Sequence, residues 1–281
     1  MNSKNLSELI KLAITEDIGD GDHSSISCIP ENASGRAHLL IKEQGVLAGI
    51  EVAMLVFHQI DPALKLEVFL KDGAKIKNGY VAFIVSGKVL SILQSERLVL
   101  NFMQRMSGIA TTTNNYVKKL EGLKTRVLDT RKTTPGLRIF EKMAVKTGGG
   151  ENHRMGLFDM IMLKDNHIEF AGGIKEAINS THAYLESIGK NLKIEIEARN
   201  LNEIREILET GRINRIMLDN FTLNDTRKAV ELINGEYETE SSGGITLETI
   251  RDYAECGVDF ISVGALTHQI HSLDMSLKAI N

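Results

Sequence analysis

Tryptophan is absent from this chain, cysteine occurs twice and proline three times. Cys28 and Cys256 stand far apart and outside any CxxC pair, which excludes a disulfide framework or a cysteine zinc knuckle and fits a reducing cytoplasm. No window approaches the ~18 to 20 uncharged apolar residues that a membrane span needs. The opening stretch MNSKNLSELIKLAITEDIGDGD is an acidic amphipathic helix pattern and lacks the basic start and greasy run of a signal peptide. A positive balance is missing too. The formal net charge of −4 argues against a general nucleic-acid binder. What is present is an ordinary globular composition, 42% hydrophobic and 25% charged over 281 residues. That length holds one large domain, or a barrel with a smaller partner domain.

The charge reverses locally. From Arg131 to Lys164 there are seven Lys/Arg against three acids, with His153 in addition. Lys142 and Lys146 are expected on a solvated helix face. The others fall in and around TGGGENHRMGLFDMIMLKDNH, residues 147–167, which matches neither GxGxxG nor GxxxxGK[ST] and so is no nucleotide loop. His153 and His167 flank a strand-like run, which gives no obvious metal site.

Residues 1–110 open with a helix and continue in strand-like runs, RAHLLIKEQGVLAG, LKLEVFL, KDGAKIKNG and YVAFIVSGKVLSIL. Asp72-Gly73 and Asn78-Gly79 are turn dipeptides between them. A helical pattern takes over from Ile92, with Gly122 near its end. EDIGDGDHSS, from Glu16 to Ser25, reads as a capped turn in preference to a catalytic lid.

The second half alternates short apolar runs with helix patterns. The runs are RVLDT (126–130), MIMLK (160–164), IEIEA (194–198), RIMLD (215–219), YETES (237–241) and FISVG (260–264). Their spacing implies parallel βαβ units in a barrel smaller than the usual ~250-residue eightfold one, with a doubly wound open sheet as the alternative. Either architecture places ligands at the C-terminal ends of the strands. Those ends carry Arg131-Lys132, Lys164, Glu197, Asp219, Ser242-Gly243-Gly244 and Gly264. Basic residues, then two carboxylates, then glycine turns suit an anionic substrate, a divalent cation such as Mg²⁺, and a phosphate cradled by backbone N–H groups. Each has a plainer reading: Asp219 as a helix cap, the glycines as turns, one of Glu195 and Glu197 as merely solvent-facing, Lys164 as a solvated strand end and His153 as a satisfied structural histidine.

The block LDTRKTTPGLRIFEKMAVKTGGGENHRMGLFDMIMLKDNH, followed by LDNF, SSGGIT and GVDFISVGALTH, resembles the quinolinate phosphoribosyltransferase family. EDIGDGDHSS and SERLVLNFMQRMSGIAT carry the likeness upstream, so it covers nearly the whole chain. The family's usual KENH is here KDNH, which keeps the charge. The resemblance implies an α/β fold: an N-terminal α/β sandwich domain (1–112) and an incomplete, seven-stranded α/β barrel (113–267). A C-terminal helix (268–281) is implied to return to the sandwich domain. It implies a type II phosphoribosyltransferase of de novo NAD biosynthesis, a cytoplasmic homodimer with a shared active site. The implied quinolinate pocket is Arg131, His153, Arg154 and Lys164, with Arg105 reaching in from the partner chain. Lys132, Glu197 and Asp219 are implied to serve phosphoribosyl pyrophosphate, the two carboxylates holding Mg²⁺, while Ser242, Gly243 and Gly264 cradle the 5-phosphate. A relative acting on another acid, a Schiff-base aldolase using Lys164 and a non-enzymatic phosphate-sensing barrel are the alternatives.

Overall fold

A computed structural model describes residues 3–280. Its strands in chain order are β1 (Ser34–Ile41), β2 (Gly45–Val46), β3 (Lys65–Val68), β4 (Lys75–Ile76), β5 (Val81–Lys88), β6 (Arg126–Leu128), β7 (Ile161–Leu163), β8 (Ile194–Ala198), β9 (Arg215–Asp219), β10 (Glu238–Ser242), β11 (Phe260–Ser262) and β12 (Met275–Ile280). They belong to two compact units. The first runs to Asn114 and takes in Thr133–Gly149 and the chain from Leu266; the second is Asn115–Lys132 with Gly150–Ala265. The segment Thr133–Gly149, grouped from sequence with the barrel residues around it, thus goes with the first unit.

In the first unit an antiparallel sheet has the order β12-β1-β5-β3, beside a small β2-β4 pair. Alternation explains the strands: Ala37, Leu39 and Ile41 of β1 are buried. Phe57, on the helix Ile50–Ile60, meets Phe83 of β5 edge-on with ring centroids 5.8 Å apart. The turn glycines Gly73 and Gly79 take φ of +88° and +90°. The long helix Val89–Lys119 begins three residues before the helical pattern expected from Ile92. Asp22 caps the helix His23–Cys28, its carboxylate accepting the Ser25 N–H at 3.1 Å, so EDIGDGDHSS contains the expected capped turn.

Two expectations are corrected in this unit. The chain does return to the first unit at its end, but as strand β12 and not as a helix. Met275, Leu277 and Ala279 pair antiparallel with Ile41, Leu39 and Ala37. The outer edge of β1 needs backbone partners, and the buried Met275 and Leu277 fall at a period of two, which suits a strand. Lys142 is not on a solvated face. It is fully buried on the helix Arg138–Thr147, whereas Lys146 is exposed.

The second unit is the barrel. All six expected strands are present, each within two residues of the expected ends, and they pair in parallel in the order β6-β11-β10-β9-β8-β7. The first strand of the unit, β6, lies against its last, β11, and β6 and β7 form the two edges. A seventh element is a single bridge: Glu151 N–H donates to Val127 O at 2.8 Å and Asp129 N–H to Glu151 O at 3.1 Å. It lies inside the glycine-rich stretch, too short to read as a strand.

The three glycines of TGGG do more than turn the chain. A Cβ at Gly148 would lie 2.4 Å from Ala110 O and 2.7 Å from Thr113 Cβ, so the helix Arg138–Thr147 ends in a close approach to the helix Val89–Lys119. Gly149 takes φ of +94°. Gly148→Ala is expected to lower stability by about 1–3 kcal/mol, because the neighbouring backbone must shift. Gly149→Ala should cost about 1 kcal/mol from its left-handed backbone. Urea unfolding of the two variants checks both.

Candidate active site

The barrel strands sort their side chains by parity. On β8, Ile194, Ile196 and Ala198 face one way and Glu195 and Glu197 the other; on β9, Arg215, Met217 and Asp219 share the second face, as do Glu238, Glu240 and Ser242 on β10. That face is the concave interior. Glu195 of β8 and Glu240 of β10 both reach one imidazole, with Nε2 of His153 lying 2.9 Å and 3.4 Å from their carboxylates. Side chains two strands apart meet only on the inside of a curved sheet. The expectation that one of Glu195 and Glu197 faces solvent is therefore corrected: both point inward and both are buried.

Burying these acids requires cations. Arg215 binds Glu240 at 2.9 Å and Glu238 at 2.9 Å, and its guanidinium stacks 3.9 Å from the Phe260 ring centroid, with Arg126 4.2 Å from the same ring. Burial, then the charge of Glu240, pushes Glu195 up to about 7. Burial also favours a neutral Glu240, but His153 and Arg215 outweigh it and hold that carboxyl below its ordinary value. His153 with Glu195 and Glu240 brings three possible ligand atoms within 4.8 Å of one another, the geometry of a cation site; Arg215 already supplies positive charge there.

The loop that carries His153 and Arg154 is pinned by side chains along its length. Asp129, fully buried just beyond β6, accepts the His153 N–H at 2.8 Å and the Asn152 side-chain amide at 2.8 Å. The Arg154 N–H donates to His153 Nδ1 at 2.7 Å, and Asp159 takes the N–H groups of Met155 and Gly156 at 2.7 and 2.8 Å. Four successive backbone donors are thus satisfied by side chains, which fixes where Arg154 leaves the loop.

Two influences on the His153 ring conflict. Burial lowers its affinity for a second proton, while the nearby carboxylates of Glu195 and Glu240 outweigh burial and push it up to about 9. That second proton would have to sit on Nδ1, where the Arg154 N–H already points. The pinned backbone is the firmer constraint, since Glu195 is itself able to hold a proton near neutral pH. The ring is therefore assigned as neutral, with the proton on Nε2, the nitrogen that faces the two acids, and with Nδ1 accepting.

The structure gathers the remaining expected residues at the C-terminal ends of the strands. Arg131 and Lys132 are exposed beyond β6. Arg154 is held below the ordinary arginine value by burial first and then by the charge of Arg131, so two guanidinium groups sit within electrostatic reach of each other. Lys164 Nζ lies 3.2 Å from Glu197 Oε2. Glu197 is raised by burial, with Lys164 opposing and Asp219 adding to the rise. Asp219 is not a helix cap: Thr222 caps the helix Leu223–Ile233. Gly243, at φ +98°, comes so close to Asn220 that a Cβ would overlap its side-chain amide, and Asn220 Nδ2 donates to Asp219 at 2.8 Å. Ser242 ends β10, and Gly264 lies between β11 and the helix Ala265–His268. Arg105 alone belongs to the first unit, where its Nε bonds Glu141 at 3.0 Å and its Nη2 bonds Thr134 at 2.7 Å.

Sequence reasoning missed Asp129, Asp159, Glu195, Arg215 and Glu240. The signal for three of them was available. IEIEA, RIMLD and ETESS carry charges at one parity, and a charged parity inside a parallel barrel demands compensation.

An incomplete parallel barrel with this charged interior, and with cations, carboxylates and a glycine turn at its strand ends, defines an α/β-barrel enzyme for anionic, phosphate-bearing substrates. The chain belongs to the quinolinate phosphoribosyltransferase family. The family model "Quinolinate phosphoribosyl transferase, N-terminal domain" matches residues 22–107 and the "C-terminal domain" model matches residues 109–278. The chain is 46% identical to quinolinate phosphoribosyltransferase [decarboxylating] 1b of Nicotiana tabacum over 288 aligned positions, covering 97% of this chain and 82% of the relative. It is 40% identical to the probable nicotinate-nucleotide pyrophosphorylase [carboxylating] of Bacillus subtilis, covering 99% and 94%. The crystal structure of NadC from Streptococcus pyogenes superposes with a TM-score of 0.94 at 38% identity, covering 100% of this chain and 99% of that one.

The buried ionic layer gives a direct test. Arg215→Met should destabilise the protein by about 3–5 kcal/mol by stranding carboxylates in the interior. Combining it with Glu240→Gln should recover part of the loss, as measured by urea unfolding of both variants.

Proposed function

We propose that this protein transfers the phosphoribosyl group of 5-phosphoribosyl 1-pyrophosphate to quinolinate, releasing pyrophosphate and CO₂ and forming nicotinate mononucleotide. The observation that carries this is the gathering of basic residues at the barrel's strand ends, Arg131 and Lys132 beyond β6 and Lys164 after β7, with Arg154 on the pinned loop between those strands. Repelling cations are held together by a folded chain at a cost, which a dianion offsets. A pyridine dicarboxylate suits planar guanidinium forks, each able to bind a carboxylate bidentately.

Arg131, Arg154 and Lys164 bind the two carboxylates and orient the ring nitrogen toward C1 of the ribose. The nitrogen lone pair forms the new C–N bond as the C1–O bond breaks and its electrons leave with pyrophosphate. Lys132 neutralises that leaving group, and Glu197 and Asp219 face the positive charge that develops on the sugar. Ser242, Gly243 and Gly264 hold the 5-phosphate. In the product the ring is a pyridinium. It accepts the electrons of the C2–carboxylate bond as CO₂ departs, and C2 then takes a proton from water. No protein nucleophile is needed, and positioning of two anions in one cavity supplies much of the rate.

The carboxylates of Glu197 and Asp219 lie on neighbouring strands and sense each other's charge, a donor set that fits Mg²⁺. When bound, Mg²⁺ neutralises pyrophosphate oxygens. Arg105, outside the barrel unit, is assigned to the barrel of a second subunit in a cytoplasmic homodimer. No helix among the described residues is long and apolar enough to cross a membrane. A Schiff-base role for Lys164 is disfavoured by its contact with Glu197, since that lysine sits against a carboxylate and not in an apolar pocket.

Purified protein given quinolinate, phosphoribosyl pyrophosphate and Mg²⁺ should release pyrophosphate and CO₂ in equal amounts; release of neither removes the proposal. Arg154→Ala should raise the quinolinate KM by about 100-fold. Asp219→Asn should weaken Mg²⁺-dependent binding of phosphoribosyl pyrophosphate more than that of quinolinate, and equal losses would mean that Asp219 is wrongly placed. Mixing inactive Arg105→Ala with inactive Lys132→Ala should restore activity through hybrid dimers. With subunit exchange verified by mass spectrometry, no recovery argues against a shared site.

A further inference from the structure

The resemblance puts His153 in the quinolinate pocket as a ligand, yet its side chain is 4% exposed, its Nδ1 accepts a backbone N–H and its Nε2 lies 2.9 Å and 3.4 Å from two buried carboxylates. Nε2 faces the two acids of β8 and β10. Nδ1 accepts the backbone N–H of Arg154, the residue whose guanidinium feels the charge of Arg131. One of the acids is itself held from behind: Arg215 of β9 binds Glu240 at 2.9 Å. On the other side Asp129 fixes the His153 main chain.

We propose that His153 is a positioning residue: Glu195 and Glu240 clamp its ring, and the ring in turn fixes the main chain of Arg154 so that the guanidinium faces the dicarboxylate. Glu195 and Glu240 are then part of the apparatus for quinolinate affinity although they lie behind the pocket and carry the wrong charge to bind its ligand. The chain of contacts runs from Arg215 through Glu240 and His153 to Arg154. The role of Arg154 in this inference rests on the function proposed above; the seat of the ring does not.

Two measurements test it together. In protein labelled with ¹⁵N-histidine, the His153 resonances, assigned by their loss in His153→Asn, should show a protonated Nε2 and an unprotonated, hydrogen-bonded Nδ1 from pH 6.5 to 8. A proton on Nδ1 overturns the proposal. In steady-state kinetics Glu195→Leu and Glu240→Leu should raise the quinolinate KM at least ~10-fold, with the phosphoribosyl pyrophosphate KM within about twofold of the parent. Glu195→Gln keeps an acceptor for Nε2–H and should stay within about threefold for both substrates. His153→Asn, whose Oδ1 is still able to accept the Arg154 N–H, should retain more quinolinate affinity than His153→Leu; equal losses mean that the ring binds substrate directly and overturn the proposal. If the leucine variants do not fold, as judged by circular dichroism, the tautomer and the Asn and Gln variants decide. A stoichiometric divalent metal lost on Glu195→Gln would also overturn it, replacing the clamp by a metal site. Wild-type protein that does not turn over quinolinate removes the functional assignment alone, and the tautomer still decides the seat of His153.

Discussion

Charge compensation inside the barrel is the constraint on which the site depends. Glu195 and Glu240 are buried where a carboxylate by itself would be prohibitively costly, and they are tolerated because Arg215 binds Glu240 and Glu195 is able to hold a proton near neutral pH. Apolar side chains of the same volume often serve stability as well as a buried ionic layer does, so stability alone is a weak account of this one. What an apolar interior lacks is direction. A carboxylate on β8 and another on β10 define where an imidazole sits to within a hydrogen bond, and dispersion contacts between leucines do not.

The glycine-rich stretch belongs to the same design. Gly148 lets two helices approach, Gly149 reverses the chain, Glu151 adds one rung of parallel pairing, and the next five residues are tied down by Asp129, His153 and Asp159. The loop is therefore as constrained as a strand without having a strand's hydrogen-bond pattern. Arg154 inherits that rigidity, and a guanidinium fork that arrives in place gives up less freedom on binding than one on a free loop.

Much of this was legible in the sequence. The six barrel strands follow from short apolar runs at regular spacing, and the cluster of strand-end residues from the rule that parallel sheets bind ligands there. The interior was less legible because IEIEA looks like a half-exposed strand. Only closure of the sheet makes its polar parity the inside, and closure is a property of all the strands together. The last strand illustrates another limit. MSLKAI does alternate, but its partner, the free edge of β1, lies more than 230 residues away in sequence, and only that pairing makes it a strand. Lys142 was misplaced for a similar reason, since a charged residue on a helix says nothing about what packs over it.

That last pairing also orders events in time. During synthesis the ribosome delivers β1 before the barrel strands and β12 after all of them, so the sheet of the first unit stays open along one side while the entire barrel emerges. Nascent chains therefore carry an unpaired edge for most of their elongation, the condition under which strands recruit wrong partners. Closure of that edge is a long-range contact with a large entropic cost, which marks it as a late step of folding and a point at which a chaperone would find something to hold.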